Sequence, residues 1–145
     1  MVTLRVVCVY TVLAALLGSA IARDYGDAQV ERVTSIYDGD TFRVDIAGWP
    51  RIIGERVPIR LRGADTPEMR GKCQAEKELA RKAKQFTVAA LRNASTIELR
   101  DMERGKYFRI VADVEVDARD LGEELIAAGL AHPYDGGARV GWCSH

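Results

Sequence analysis

Short runs in which apolar and polar residues alternate recur along this chain, and they leave few folds open to it. Phe42, Val44 and Ile46 alternate with Thr41, Arg43 and Asp45, and Val57, Ile59 and Leu61 alternate with Pro58, Arg60 and Arg62. Ile97 and Leu99 share one face of a run ending at Met102; Ile110, Ala112, Val114 and Val116 form the longest run, with Arg109 on the opposite face. A period of two marks strands with one buried face. A weaker strand over residues 31–36 precedes them. Gly48-Trp49-Pro50 and Gly54 predict a loop or hairpin end, and Arg104-Gly105 predicts a turn. Pro58 suits a strand start or an edge.

Two stretches change period. Leu79, Ala83, Phe86 and Ala90 recur at helical spacing over residues 74–92, with Glu78 and Lys82 placed for an i,i+4 ion pair and Asn93 as the stop. Its basic residues, Lys77, Arg81, Lys82 and Lys84, are read as a solvated face. Leu121, Leu125 and Ala128 follow the capping-box pattern Asp120-x-x-Glu123, and Gly129 ends that helix. Five strands with one helix after the third and another at the end describe a small α+β domain. Closing such strands into a barrel would remove their exposed edges.

The chain has 145 residues, enough for one domain with its own core, and its 21 basic residues balance 21 acidic ones. A zero net charge excludes a polycation that coats nucleic acid by bulk attraction, so any affinity for phosphate must be local. Residues 1–22 read as an export signal: Arg5 is their only charge, the stretch from Val6 is apolar, and Ala20-Ile21-Ala22 fits the small-residue cleavage pattern. The competing reading is an uncleaved anchor. Cys8 lacks the context of a lipidation site. Residues 23–30 are polar and read as a flexible leader, with a single domain over residues 31–145. Cleavage would leave Cys73 and Cys143, which in an oxidising compartment either pair or stay as separate thiols. Neither has the spacing of a zinc site.

Two acidic motifs carry the chemistry. Tyr37-Asp38-Gly39-Asp40-Thr41 precedes one strand, and Arg60-Leu61-Arg62-Gly63-Ala64-Asp65-Thr66-Pro67-Glu68 closes another. Hard divalent cations take carboxylate, carbonyl and water oxygens. Asp40, Asp65 and Glu68 supply such oxygens if the fold joins the two strand ends, and Arg60 and Arg62 place guanidinium forks beside them. Cation-holding carboxylates next to phosphate-gripping arginines suit hydrolysis of a phosphodiester. An EF-hand does not fit, because Phe42 and Arg43 occupy positions where it needs a ligand and a glycine. A two-carboxylate glycosidase would leave the arginines unexplained.

With Lys106-Tyr107-Phe108-Arg109 downstream, the two motifs resemble the staphylococcal nuclease (thermonuclease) family, in order and spacing, over residues 33–133. The resemblance implies a five-stranded OB-fold β-barrel with two to three helices. It implies a calcium-dependent endonuclease acting on DNA and/or RNA. On that resemblance Asp40, Asp65 and the Thr66 carbonyl hold calcium, Glu68 is the general base or positions the attacking water, and Arg60 and Arg109 grip the phosphate. Lys106 and Tyr107 match family positions near the substrate, Tyr134, aligned only across a gap, offers a ring to stack on a base, and Asp38 is read as an acid supporting the ligands. Three departures stand out: Phe108 replaces the family's usual glycine, the C-terminal segment is shorter, and the pair Cys73/Cys143 is absent from the name-giving nuclease.

The implied partners are DNA and/or RNA, with no stable protein partner, and no membrane once the leader is removed. The implied location is secreted or periplasmic. Trp49 and Trp142 are read as packing residues, and His132 and His145 as surface residues. The alternative function is an OB-fold module that binds nucleic acid or protein without cutting it.

Overall fold

The computed structural model describes residues 24–143. The expected export signal and His145 lie outside the described residues. The strands are β1 Ala28–Ile36, β2 Thr41–Ile46, β3 Val57–Leu61, β4 Gly63–Asp65, β5 Ile97–Arg104, β6 Ile110–Val116, β7 Arg119–Asp120 and β8 His132–Tyr134. The helices are α1 Arg51–Gly54, α2 Gln74–Asn93 and α3 Leu121–Ala127, with a 3-10 turn at Lys106–Phe108. Strand order β3-β2-β1-β5-β6 closes through a parallel pairing of β3 with β6, so five strands form a barrel. The fold is therefore an α+β, OB-type barrel with helices packed on it, and closure leaves no edge among those five strands.

The alternating residues point where their period requires. Phe42, Val44, Ile59, Leu61, Leu99 and Val114 are fully buried and form the barrel core, capped by Leu121 and Leu125 of α3. β1 pairs with β2 along most of its length and with β5 only at Ala28 and Gln29. Two register irregularities against β2, at Val30/Arg32 and Val33/Ser35, bend β1 so that it can serve both neighbours. The link from β6 to β7 has positive φ at both Asp117 and Ala118, as a tight hairpin turn of the primed type requires.

Several expectations change. Residues 24–30 are not a loose leader: Tyr25 N donates to the Met102 carbonyl at 2.8 Å, Met102 N to Gly26 at 3.0 Å, and β1 starts at Ala28. These are backbone bonds, supported by an ion pair of Asp27 with Arg100, so side-chain hydrophobicity could not announce them. The expected loop around Trp49 holds a single helical turn, α1. On α2 the buried stripe is Glu76, Ala80, Ala83, Thr87 and Leu91, while Leu79, Phe86 and Ala90 lie on its shoulder. Glu78 accepts from the Gln74 side chain at 2.9 Å rather than pairing with Lys82. Asp120 caps α3 as expected, accepting from Glu123 N at 2.7 Å, and Gly129 follows at φ +69°.

Candidate active site at the barrel end

Asp40 immediately precedes β2 and Asp65 closes β4. The pairing of β2 with β3 sets Thr41 opposite Arg60, so the two strand ends meet at one end of the barrel. Asp40 is 1% exposed and Asp65 3% exposed. The Arg60 guanidinium lies between them, donating through Nη1 to Asp40 Oδ1 and through Nη2 to Asp65 Oδ1 at 2.8 Å. The other Asp40 oxygen accepts from both the backbone N and the Oγ1 of Thr66, at 2.8 and 2.9 Å. Thr41 Oγ1 adds a bond to Asp40 Oδ1 at 3.0 Å. Both motifs are thus tied together by charge-assisted bonds, which are stronger than neutral ones. Removing the arginine would leave the buried Asp40 with no ion-pair partner, and breaking a buried pair in this way typically costs about 3–5 kcal/mol.

Asp38 supports this arrangement from behind, its Oδ1 accepting from Asp40 N at 3.2 Å. Burial, followed by the nearby Asp40 charge, pushes its carboxyl up to about 7, so it titrates near neutral pH. The turn between the two acids has little room. A Cβ on Gly39 would come within 2.7 Å of Thr66 Cγ2 and 2.9 Å of Ala83 Cβ. Thr87 of α2 donates from Oγ1 to the Gly39 carbonyl at 2.7 Å. The polar residue in the buried stripe of α2 therefore fixes the acidic turn.

Glu68 stands beside Asp65 on a loop organised by Glu76. The Glu76 carboxylate accepts from Lys72 N at 2.7 Å and Glu68 N at 3.4 Å, and a Cβ on Gly71 would sit 2.5 Å from it. Neither Glu76 nor Thr87 is among the residues expected from sequence. Both sit at helical spacing with Ala80 and Ala83, which is the signal that could have found them.

Arg139 is the larger surprise. Its Nε lies 3.3 Å from Asp65 Oδ1 and its Nη1 donates to Glu68 Oε1. Partial burial works to lower its pKa, but the bond to Glu68 and the charges of Asp65, Glu68 and Asp40 raise it overall. Its backbone belongs to the tail, which is joined to the start of α2 by a disulfide between Cys73 and Cys143, Cα–Cα 6.0 Å. Of the two readings open for these cysteines, the structure takes the bridge. That pair is also the one sequence signal that could have pointed to Arg139. Trp142 stacks on His132 with ring centroids 3.8 Å apart, so His132 is a packing partner rather than a free surface residue. A cleft of about 320 Å³ runs between Asp65, Glu68, Glu76, Arg139 and Trp142.

Other expected residues stand apart. Arg62 shares a strand face with Arg60, yet it turns to Asp113, Glu103 and the Asp101 carbonyl. Arg109 makes no ion pair with the acids among the described residues. Its guanidinium lies 5.8 Å from the Tyr107 ring centre, and Nε reaches the Lys106 carbonyl at 3.5 Å. It lines a neighbouring cleft of about 450 Å³ with Thr41, Arg43 and Tyr107, and Thr41 joins that cleft to Asp40. Lys106 is exposed, and Tyr107 and Phe108 are 84% and 83% exposed, with φ of +57° and +58°. A phenylalanine in that conformation is uncommon, which accounts for the glycine that the resemblance leads one to expect there. Tyr134 pairs with Gly63 in the β4–β8 ribbon, at the margin of the acidic loop.

Asp40 and Asp65 are buried carboxylates, the kind of oxygen donor that hard cations take, and Arg60 bonds one oxygen of each. The one tight group of His, Cys, Asp or Glu among the described residues is Cys73, Glu76 and Cys143, and the disulfide takes both sulfurs. Asp40, Asp65 and Glu68 are not so closely grouped, because Arg60 and Arg139 lie between them.

A family model described as staphylococcal nuclease homologue matches residues 58–139. The chain is 32% identical over 136 aligned residues to a probable endonuclease of Pyricularia oryzae, covering 76% of this chain and 49% of that protein. A probable endonuclease of Penicillium rubens is 31% identical, over 76% of this chain and 46% of its own. One of Schizosaccharomyces japonicus is 30% identical, over 72% and 54%. The chain thus spans about half the length of these relatives. With the matched segment running from β3 to Arg139, through Arg60, Asp65, Glu68 and Arg109, the chain belongs to the staphylococcal nuclease homologue family.

Proposed function

We propose that this protein is a calcium-dependent endonuclease that hydrolyses phosphodiester bonds of DNA and/or RNA. The observation that carries the reading is the convergence of Asp40, Asp65 and Arg60 at one end of the barrel, with Glu68 on the adjoining loop. A phosphodiester resists water because its charge repels nucleophiles and more charge gathers on its oxygens during attack. Arg60, which bonds one oxygen of each aspartate, would take up part of that charge. Asp40 and Asp65 would hold the calcium ion, with the Thr66 carbonyl as a further ligand, and the ion would neutralise phosphate oxygens. Glu68 orients the attacking water or takes its proton. Arg109 reaches the phosphate from the neighbouring cleft after leaving the Tyr107 ring, and Lys106, Tyr107 and Tyr134 line the approach of the chain being cut. Asp38 keeps the turn that carries Asp40 in place.

We further infer that the protein works outside the cytosol, secreted or periplasmic. The Cys73–Cys143 bridge supports an oxidising compartment. No helix among the described residues is long and apolar enough to cross a membrane.

The test is digestion of single-stranded DNA and of RNA by the purified protein with calcium, then with chelator. Cleavage that chelator stops is expected; both substrates left intact over hours with calcium would overturn the proposal. Glu68→Gln should lower turnover by roughly 100-fold or more with an unchanged melting temperature. A second reading, a binding module without catalysis, draws on the distance of Arg109 from the acids. Binding of single-stranded DNA that ignores calcium and ends in no cleavage would favour it.

A further inference from the structure

The tail after β8 is built into the site rather than laid over it. It leaves Tyr134 through a turn in which Gly137 N donates to Asp135 Oδ1 at 3.1 Å, and Gly136 has φ of +96°. It is then fastened twice, by the Trp142 stack on His132 and by the disulfide from Cys143 to Cys73. Cys73 is the residue that opens α2, and Glu76 in the first turn of α2 holds the loop carrying Glu68. One helix start therefore anchors both the Glu68 loop and the tail. Between the two fastenings and β8 lies Arg139, whose guanidinium bridges Asp65 and Glu68. Among the described residues, no other side chain bonds the Glu68 carboxylate.

We propose that Arg139 is a positioning residue, which holds the Glu68 carboxylate beside Asp65, and that the Cys73–Cys143 disulfide delivers it there, so that the site is complete only in the oxidised protein. The inference rests on the nuclease reading. A glutamate side chain has three rotatable bonds, and this one is 46% exposed. Without a partner it would spread over rotamers that leave the attacking water unaligned. Arg139 removes that freedom with one fork that also touches Asp65, setting the distance between the two carboxylates. The fork is supplied by a segment with almost no core of its own. Val140 is exposed, and residues 135–141 form no strand or helix. The covalent tie to α2 is what gives the segment a fixed path.

The experiment compares wild type, Arg139→Gln, Arg139→Lys, Cys73→Ser/Cys143→Ser, and the triple variant combining the serine pair with Arg139→Gln. It reads kcat and KM on single-stranded DNA with calcium, the melting temperature, and the rate of tryptic cleavage after Arg139. Misplacing a reacting group by about 1 Å can cost about 100-fold, so Arg139→Gln should lower kcat by tens of fold to about 100-fold. KM and melting temperature should stay near wild type, and Arg139→Lys should recover part of the loss. The serine pair should show the same fall in kcat and faster tryptic cleavage at Arg139. Adding Arg139→Gln to it should change kcat by no more than about twofold, because both act through one contact. Wild-type kcat in Arg139→Gln overturns the inference, as does a rise in kcat, which would make the guanidinium a plug. Fully additive losses, or tryptic cleavage unchanged by the serine pair, overturn the role given to the disulfide. An active wild type with any of these results refutes this inference alone, whereas an inactive wild type refutes the nuclease reading beneath it as well.

Discussion

Replacing Thr87 with valine removes one hydroxyl from the interface between α2 and the acidic turn while keeping the side-chain shape. Thr87 has no exposed surface, and its Oγ1 is 2.7 Å from the Gly39 carbonyl. In the valine variant a methyl faces that carbonyl, which loses its donor where water cannot reach it. A buried polar group left unsatisfied costs about 1–3 kcal/mol. The turn cannot relax far, because Gly39 is already against Thr66 and Ala83. With a urea m-value of about 1–2 kcal/mol per molar, the unfolding midpoint should fall by roughly 0.5–3 M with m unchanged. Thr87→Ser is the control: it keeps the donor, loses one methyl, and should cost about 1 kcal/mol. Equilibrium urea unfolding followed by tryptophan fluorescence measures both. A valine variant within about 0.3 kcal/mol of wild type, or one more stable than the serine variant, would refute the view that this bond holds the turn.

Three further outcomes can be checked by unfolding measurements, in urea or by heat. Gly71→Ala should destabilise by about 1–3 kcal/mol, since the new Cβ would strike the Glu76 carboxylate at 2.5 Å; a neutral result would mean that Glu76 can move without loosening the Glu68 loop. Asp120→Ala should cost about 1 kcal/mol by uncapping α3, read as a lower urea midpoint. The pH dependence follows from three aspartates held below the ordinary value of 3.8: Asp27 by the Asp101 N–H, Asp45 by the Arg56 N–H, and Asp117 by the Thr96 N–H. A depressed folded pKa gives stability that is complete above the unfolded value and lost as pH falls through the folded one. Melting temperature should therefore drop below about pH 4, and Asp117→Asn should flatten that acid limb; an unchanged limb would refute its assignment to these groups.

How much could be read without coordinates depended on how local each cause was. The strands β2, β3 and β6 follow from alternation, because a pleated backbone sends neighbouring side chains to opposite faces whatever the partner. Asp120, Glu123 and Gly129 likewise act within one helix. The face of α2 was only half legible. Leu79, Phe86 and Ala90 advertise an apolar stripe, but the buried one includes Glu76 and Thr87, whose burial is supported by bonds to backbone groups of distant loops. The start of β1 was hidden for a related reason, since its bonds are made by main-chain atoms that every residue carries.

The sequence by itself determined which groups could do chemistry: two acidic motifs next to strand ends, an arginine two residues from another on one face, and a pair of cysteines. Tertiary structure alone decided which of them meet. Arg60 and Arg62 have the same period and opposite employment, because parallel pairing of β3 with β6 brings Asp113 to Arg62, while the barrel end brings Asp40 and Asp65 to Arg60. Arg139 joins Glu68 across 71 positions of chain through a disulfide that spans 70. Periodicity records what a residue does within its own element, whereas an ion pair between segments depends on how the backbone between them closes, and no local pattern encodes that closure.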